Sequence, residues 1–129
     1  MATRESTTWK TVSKHLSPFG ILERVENRIG TGTPDVHFLL QDHMSGLAKA
    51  GWIELKSVAL PKRATTPVRF REFTLDQRRW LRRYNKEGGA AFLLSQVGPN
   101  YLLHRPGSPA WDNIGELPFD DLCQSAVWG

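Results

Sequence analysis

Two short apolar runs, each charged along one side, constrain the fold of this chain most. Thr33-Pro34-Asp35-Val36 opens the first run, and Trp52-Ile53-Glu54-Leu55-Lys56 lies in the second. Residues two apart in a β-strand point to the same face of a sheet. Glu54 and Lys56 are therefore predicted to project side by side, while the apolar residues between them face a core. A carboxylate and an ammonium on one strand face suit a divalent cation and a phosphate.

The rest of the chain predicts helices and strands in mixed order. Helical spacing of apolar residues predicts a helix over Thr7–Leu16. Thr74 and Gln77 form a capping-box signature, which predicts a second helix that runs to Glu87. Strands are expected at Ile21–Asn27, Asp35–Leu40, Gly51–Ser57, Ala90–Val97 and Tyr101–His104.

The segments between these elements are predicted to be irregular. Gln41–Ala50 is expected to be a hairpin loop, Leu60–Phe73 a linker, and Arg105–Pro118 a loop before a short closing helix at Phe119–Val127. The resulting order, α-β-β-β-α-β-β, predicts the α/β class: a mixed central β-sheet flanked by helices.

Length and composition favour one soluble domain. The chain has 129 residues, 40% hydrophobic and 23% charged, which suits a single domain with a core over about residues 5–104 and a tail over 105–129. No apolar run is long enough to span a bilayer, and the polar start lacks the apolar core of a signal peptide. The single Cys123 fits a reducing compartment, so we expect a cytoplasmic protein.

The positive charge is concentrated in the middle of the chain. Net charge is +4, and the stretch Lys62–Lys86 is rich in Lys and Arg while the tail after Arg105 carries acids only. One face of the second predicted helix gathers five cations without acids on that face, which favours contact with phosphates over a merely solvated surface. The residues predicted to contact DNA are Arg63, Arg69, Arg71, Arg78, Arg79, Arg82, Arg83 and Lys86.

Asp35 and Glu54 can bind a metal ion if their strands are neighbours. Mg²⁺ takes one or two protein carboxylates and fills its other positions with water and substrate phosphate. Lys56 beside the ion could stabilise charge on the phosphate or help to deprotonate the attacking water. The alternative is structural: Asp after Pro is common in turns, and Glu-x-Lys is common on exposed strand faces, where the ion pair contributes little.

The motifs resemble a known nuclease superfamily. Pro34-Asp35 followed by Glu54-Leu55-Lys56 looks like the PD-(D/E)xK signature. Together with Gly32-Thr33 and Gln77 at a helix start, the pattern is similar to the small stand-alone VRR-NUC proteins of phages and prophages, over residues 5–97.

This resemblance implies an enzyme and assigns roles. It implies a Mg²⁺- or Mn²⁺-dependent DNA endonuclease, often homodimeric, that acts on branched DNA such as Holliday junctions, within the host cytoplasm if a phage encodes it. By position, Asp35 and Glu54 would be metal ligands joined by the Leu55 carbonyl. Lys56 would be the catalytic lysine, and Gln77 would lie near the site.

Members of the family usually place a further acid on the first helix, and the sequence offers two candidates, Glu5 and Glu26. Glu5 lies on the first predicted helix near a chain end that is prone to fray. Glu26 lies on the first predicted strand just before Asp35, and Glu23 is expected to point to the opposite face from Glu26. We expect Glu26 to be the additional catalytic acid, because a strand supports it more firmly than a terminus.

Two other functions fit the same sequence. One is a restriction-type or exonucleolytic enzyme of the same superfamily, although the length leaves no room for a separate sequence-reading domain. Another is a non-catalytic DNA-binding module on the same fold.

The homodimer that the resemblance implies would use apolar residues of the first helix and the tail. These are Trp9, Val12, Leu16, Trp111, Leu117, Phe119, Leu122 and Trp128.

Overall fold

Five strands and three α-helices make up the part of the chain that the computed structural model describes, residues 4–25, 34–41, 48–70, 73–107 and 109–127. The helices are α1 (Arg4–Leu16), α2 (Leu75–Lys86) and α3 (Phe119–Ser125). The strands are β1 (Gly20–Arg24), β2 (Val36–Gln41), β3 (Ala48–Val58), β4 (Ala90–Val97) and β5 (Asn100–His104). Two short 3₁₀ helices lie at Ser17–Phe19 and Pro109–Asn113.

The strands form one mixed sheet in the order β1-β2-β3-β4-β5. β3 and β4 are parallel, and the other three neighbouring pairs are antiparallel. Parallel neighbours need a crossover connection, which α2 provides between β3 and β4. The predicted α/β class, with a mixed sheet flanked by helices, is therefore confirmed.

Each face of the sheet buries its own hydrophobic cluster. On the α1 face, Val12 of α1 packs with strand residues that include Ile53 and Leu55. On the opposite face, Leu81 of α2 packs with β4 and with residues after β5, among them Trp111 and Leu122. The alternation predicted for the second run is therefore confirmed, because Ile53 and Leu55 join the α1 cluster.

The start and end of α2 follow from local sequence. The Thr74 hydroxyl accepts a hydrogen bond from the Gln77 amide, and the Gln77 side chain accepts one from the Thr74 amide. This reciprocal capping box satisfies backbone donors that the first helical turn cannot pair internally. The helix ends before Gly88, whose φ of +99° favours glycine.

Several predicted bounds differ from the structure, and pairing explains the clearest case. β3 starts at Ala48 because Ala48–Ala50 pair with Leu39–Gln41 of β2, so the polar stretch predicted as loop contributes three residues to the strand. The predicted loop Arg105–Pro118 contains the 3₁₀ helix Pro109–Asn113, which Trp111 anchors in the core at 2% exposure. α1 begins at Arg4, before the predicted Thr7.

Across the described segments, helix length and hydropathy fall short of what a membrane-spanning helix requires.

Candidate active site

Asp35 is tied to the strand that carries the other two predicted site residues. Its Oδ2 accepts a hydrogen bond from the Leu55 amide at 3.3 Å, and its carbonyl accepts one from the Val25 amide at 2.6 Å. Val36 pairs with Ile53 in antiparallel register, so Asp35 lies next to Glu54. The two carboxylates therefore come from neighbouring strands and share a sheet face, as the sequence predicts.

Glu54 and Lys56 lie side by side in the interior of that face. The Lys56 Nζ is 4.0 Å from Glu54 Oε2, and the two residues are 4% and 1% exposed. The Lys56 ammonium also lies 5.8 Å from the centre of the Phe73 ring, within cation–π range. Charge this deeply buried is tolerated only when neighbouring charges and dipoles compensate for lost water. Asp35 is only half-buried, so the site is accessible to solvent on the Asp35 side.

These residues fit a small oxygen-liganded cation. Two carboxylates from adjacent strands match what Mg²⁺ takes from a protein when substrate phosphate and water complete its shell. Within the described residues, no group of three or more His, Cys, Asp or Glu forms a larger metal cluster. The described donor set is therefore Asp35 and Glu54, with the Leu55 carbonyl as the further ligand that the resemblance implies.

Gln77 has a structural task at the start of α2. Its Oε1 accepts from the Thr74 amide at 3.0 Å, and its own amide donates to the Thr74 hydroxyl at 3.1 Å. The side-chain oxygen is thus committed to the cap, whereas a second role near the metal site stays a prediction.

The β1 acid on the face of Asp35 is Glu23. Glu23 pairs across the sheet with His37, two residues along β2 from Asp35, while Leu22 packs against the α1 cluster. Glu26 lies outside the described residues, and only the backbone of Glu5, in α1, is described. The choice of Glu26 as the additional acid therefore stays a prediction, with exposed Glu23 as its rival.

The five cations of α2 are not equivalent, and the expectation that they lack partner acids is wrong for Arg82. Arg82 Nη1 lies 2.9 Å from Asp112 Oδ1, in the 3₁₀ helix Pro109–Asn113. Arg78 Nη1 donates to the Ile114 carbonyl at 3.2 Å, and its guanidinium lies 5.9 Å from the Phe73 ring centre. The tail passes beside this flank of α2 and brings in an acid distant in sequence.

The other predicted DNA contacts that the structure describes lie at the surface. Arg79, Arg83 and Lys86 are exposed on α2, and Arg63 and Arg69 are exposed in the segment after β3. Arg71 lies outside the described residues. Among the predicted DNA contacts, these five described cations are available to a phosphate backbone, while Arg78 and Arg82 are engaged with the tail.

Sequence reasoning missed two neighbours of Lys56. Phe73 is 9% exposed and holds the ammonium through its ring, although the sequence places it only at the end of a linker. Ser95 pairs with Lys56 in the register of β3 and β4 and is fully buried. Its hydroxyl has no hydrogen-bond partner within the described segments. The signal for Ser95 was a lone hydroxyl in the otherwise apolar start of the run Ala90–Val97.

No protein-family model matches this chain, and no curated protein matches it.

Proposed function

We propose that this protein is a metal-dependent DNA endonuclease that hydrolyses phosphodiester bonds with a PD-(D/E)xK-type site, akin to the VRR-NUC nucleases. One observation carries the proposal. The hydrogen bond from the Leu55 amide to Asp35 sets that carboxylate against the strand that bears Glu54 and Lys56. One sheet face thus carries two carboxylates that can hold a divalent cation and a lysine that can stabilise charge on a phosphate, which suits metal-dependent hydrolysis.

In this mechanism each residue has a separate task. Asp35 and Glu54, with the Leu55 carbonyl, would hold Mg²⁺ or Mn²⁺. The bound ion supplies Lewis-acid chemistry, since it lowers the pKa of water and shields the charge of the phosphodiester. Lys56 directs its ammonium toward the phosphate and stabilises the negative charge that develops there. Glu54 and the Phe73 ring fix the position of that ammonium.

DNA binding relies on the exposed cations of α2 and of the segment after β3. Arg79, Arg83 and Lys86 can contact the phosphate backbone, and Arg63 and Arg69 can add to the same surface. Such contacts position the duplex without reading its sequence. This agrees with an enzyme that recognises the shape of DNA.

We place the enzyme on branched DNA as a homodimer, because paired cuts in a four-way junction require two sites related by a two-fold axis. Among the residues predicted for the interface, Val12, Trp111 and Leu122 are buried within the domain at 6%, 2% and 0% exposure, Leu117 and Phe119 are partly exposed, and Trp128 lies outside the described residues. Ile21 and Leu39 instead are partners across β1 and β2 on the Asp35 side, and are 55% and 39% exposed. A two-fold axis beside this sheet edge would direct both sites toward the same DNA.

A second function has an observation of its own. Glu54 and Lys56 are almost fully buried, as expected of an ion pair that serves the fold of a non-catalytic DNA-binding module. Such a module would bind DNA through α2 and leave it intact. A restriction-type or exonucleolytic enzyme would use the same site on different DNA.

A substrate panel separates these functions. Labelled linear, nicked, flap, four-way and closed circular DNA are incubated with the protein, with and without Mg²⁺ or Mn²⁺. We expect internal cuts only with metal, fastest on the four-way junction. Binding without cleavage of any substrate would favour the non-catalytic module. Degradation from ends with intact circles would indicate an exonuclease, and equal cutting of junction and linear DNA would contradict structural selectivity.

A further inference from the structure

Four aromatic side chains form a continuous row beside the carboxylates. The His37 and Trp52 ring centres lie 5.0 Å apart, and those of Trp52 and Trp80 lie 6.0 Å apart, both in edge-to-face contact. Trp80 and Tyr84 are stacked with their planes 9° apart. All four side chains are partly exposed. We call His37, Trp52, Trp80 and Tyr84 the aromatic row.

The aromatic row lies one step along the strands from the predicted metal site. His37 and Trp52 are direct partners in the β2–β3 register, two residues from Asp35 and Glu54 respectively. Residues two apart share a face and are separated by about 6.6 Å along a strand. The row therefore starts beside both carboxylates, on the side away from Lys56.

Core packing accounts for only one end of the aromatic row. Trp80 and Tyr84 pack against the cluster around Leu81. Trp52 belongs to neither of the hydrophobic clusters found among the described residues, and its described ring contacts are with His37 and Trp80. A tryptophan held at the surface by other rings is positioned for a ligand with a flat apolar face.

Positive charge borders the same part of α2. At 100° per residue, Trp80 and Tyr84 lie on one flank of Leu81, and Arg78 and Arg82 lie on the other, where the tail engages them. Arg83 and Arg79 follow Trp80 round the exposed side of the helix. The flat ligand therefore meets rings and cations together, which is the combination that binds single-stranded nucleic acid.

We propose that the aromatic row binds an unpaired nucleobase of the strand whose phosphate occupies the Asp35–Glu54 site. This inference rests on the proposed nuclease function and narrows its substrate. In a duplex each base is covered on both faces by its neighbours, so an aromatic side chain gains a stacking partner only where a base is unstacked. The preferred DNA thus carries unpaired bases next to the cut, at a flap, a frayed end or the crossover of a junction.

Binding without cleavage tests this site. In EDTA, fluorescence anisotropy measures the affinity of the protein for a labelled single strand and for a hairpin duplex of equal charge. Trp52→Leu should weaken single-strand binding about tenfold or more and leave duplex binding unchanged. The matched control is Tyr101→Leu in β5, an aromatic on the other sheet face, which should change neither. No loss for Trp52→Leu, or an equal loss on both DNAs, would overturn the proposal.

A second measurement uses the unmodified protein, so it does not depend on how the variant folds. A single strand that carries 5-iododeoxyuridine is photocrosslinked, and the attached peptide is identified by mass spectrometry. Crosslinks should map to the aromatic row, and crosslinks confined to other parts of the chain would overturn the proposal. Neither readout needs cleavage. If the protein passes both tests but never cuts DNA, the nuclease proposal is refuted and the base-binding site stands. If it cuts DNA but fails both tests, the nuclease proposal stands and the base-binding site is refuted.

Discussion

The Leu55 amide donates a hydrogen bond to the Asp35 carboxylate over 3.3 Å. This bond joins an acid at the start of β2 to the backbone between Glu54 and Lys56 of β3. It fixes the carboxylate through a backbone group that side-chain substitution at Leu55 leaves in place. The proposed site therefore depends on strand register as well as on residue identity.

The exposed cations of α2 should govern nonspecific DNA affinity. The double variant Arg79→Glu/Arg83→Glu should weaken binding to all sequences alike and reduce the slope of log affinity against log salt by about 2, because each lost phosphate contact removes about one released counterion. Lys10→Glu/Lys14→Glu in α1 is a charge-matched control on the other sheet face. Equal effects of both double variants would show that α2 is an ordinary solvated surface with no special role in DNA binding.

The capping and site roles of Gln77 can be separated. Thr74→Ala should lower the free energy of unfolding by about 1 kcal/mol because the helix loses its N-cap acceptor, while cleavage by the folded protein persists. Gln77→Glu keeps an oxygen that accepts from the Thr74 amide, so thermal stability should hold. If Gln77 lies near the metal ligands, as the resemblance implies, the added negative charge of Gln77→Glu should lower cleavage. Wild-type cleavage by Gln77→Glu would limit this residue to the cap.

The additional acid can be identified by titrating Mg²⁺ against the cleavage rate. Glu26→Gln should raise the Mg²⁺ requirement more than Glu23→Gln or Glu5→Gln. Glu23 lies on β1, which β2 separates from Glu54, so its loss should change the rate by less than about tenfold. If Glu23→Gln has the largest effect, the additional acid is Glu23 of β1 and not Glu26. If Glu5→Gln has the largest effect, the additional acid is Glu5 of α1.

Acid should destabilise the protein through His104. Its Nε2 donates to the Leu122 carbonyl at 2.9 Å, and burial lowers its pKa, with that hydrogen bond opposing the shift only in part. Because the unfolded chain binds the proton more readily, stability is fully present above the ordinary histidine pKa of about 6.5 and falls as the pH drops below it.

The measurement is thermal unfolding at pH 7.5 and pH 5.5, conditions on either side of about 6.5. The melting temperature of the wild type should fall more on acidification than that of His104→Gln, which keeps a side-chain donor. His15→Gln, at an exposed histidine of α1, should behave as the wild type does. Parallel pH profiles for wild type and His104→Gln would contradict the assignment.

Local patterns in the sequence predicted the parts of the site that one strand or one helix turn determines. Alternation along Trp52–Lys56 predicted which side chains share a face, because the period of a strand is two residues wherever it pairs. The signature Thr74–Gln77 predicted the start of α2 because both partners of the capping box lie within one helical turn.

Contacts between distant segments were not predictable in this way. The pairing of Arg82 with Asp112 depends on where the tail crosses α2, and no periodicity encodes that path. The position of Glu23 on the Asp35 face follows from the register of β1 against β2. The burial of Trp111 within the domain likewise depends on tertiary packing, which the apolar character of a residue does not by itself reveal.

Metal-dependent cleavage of a labelled four-way junction by single-site variants tests the proposed metal site most directly. Asp35→Asn, Glu54→Gln and Lys56→Ala should each cut at background level while they still bind the junction in EDTA. Thermal melting verifies folding, since Glu54→Gln leaves the buried Lys56 without its carboxylate neighbour. The matched controls are Glu116→Gln and Lys49→Ala, which alter an exposed acid and an exposed lysine and should cut at the wild-type rate. Full activity in any of the first three variants would contradict the role assigned to that residue, and full activity in all three would refute the site.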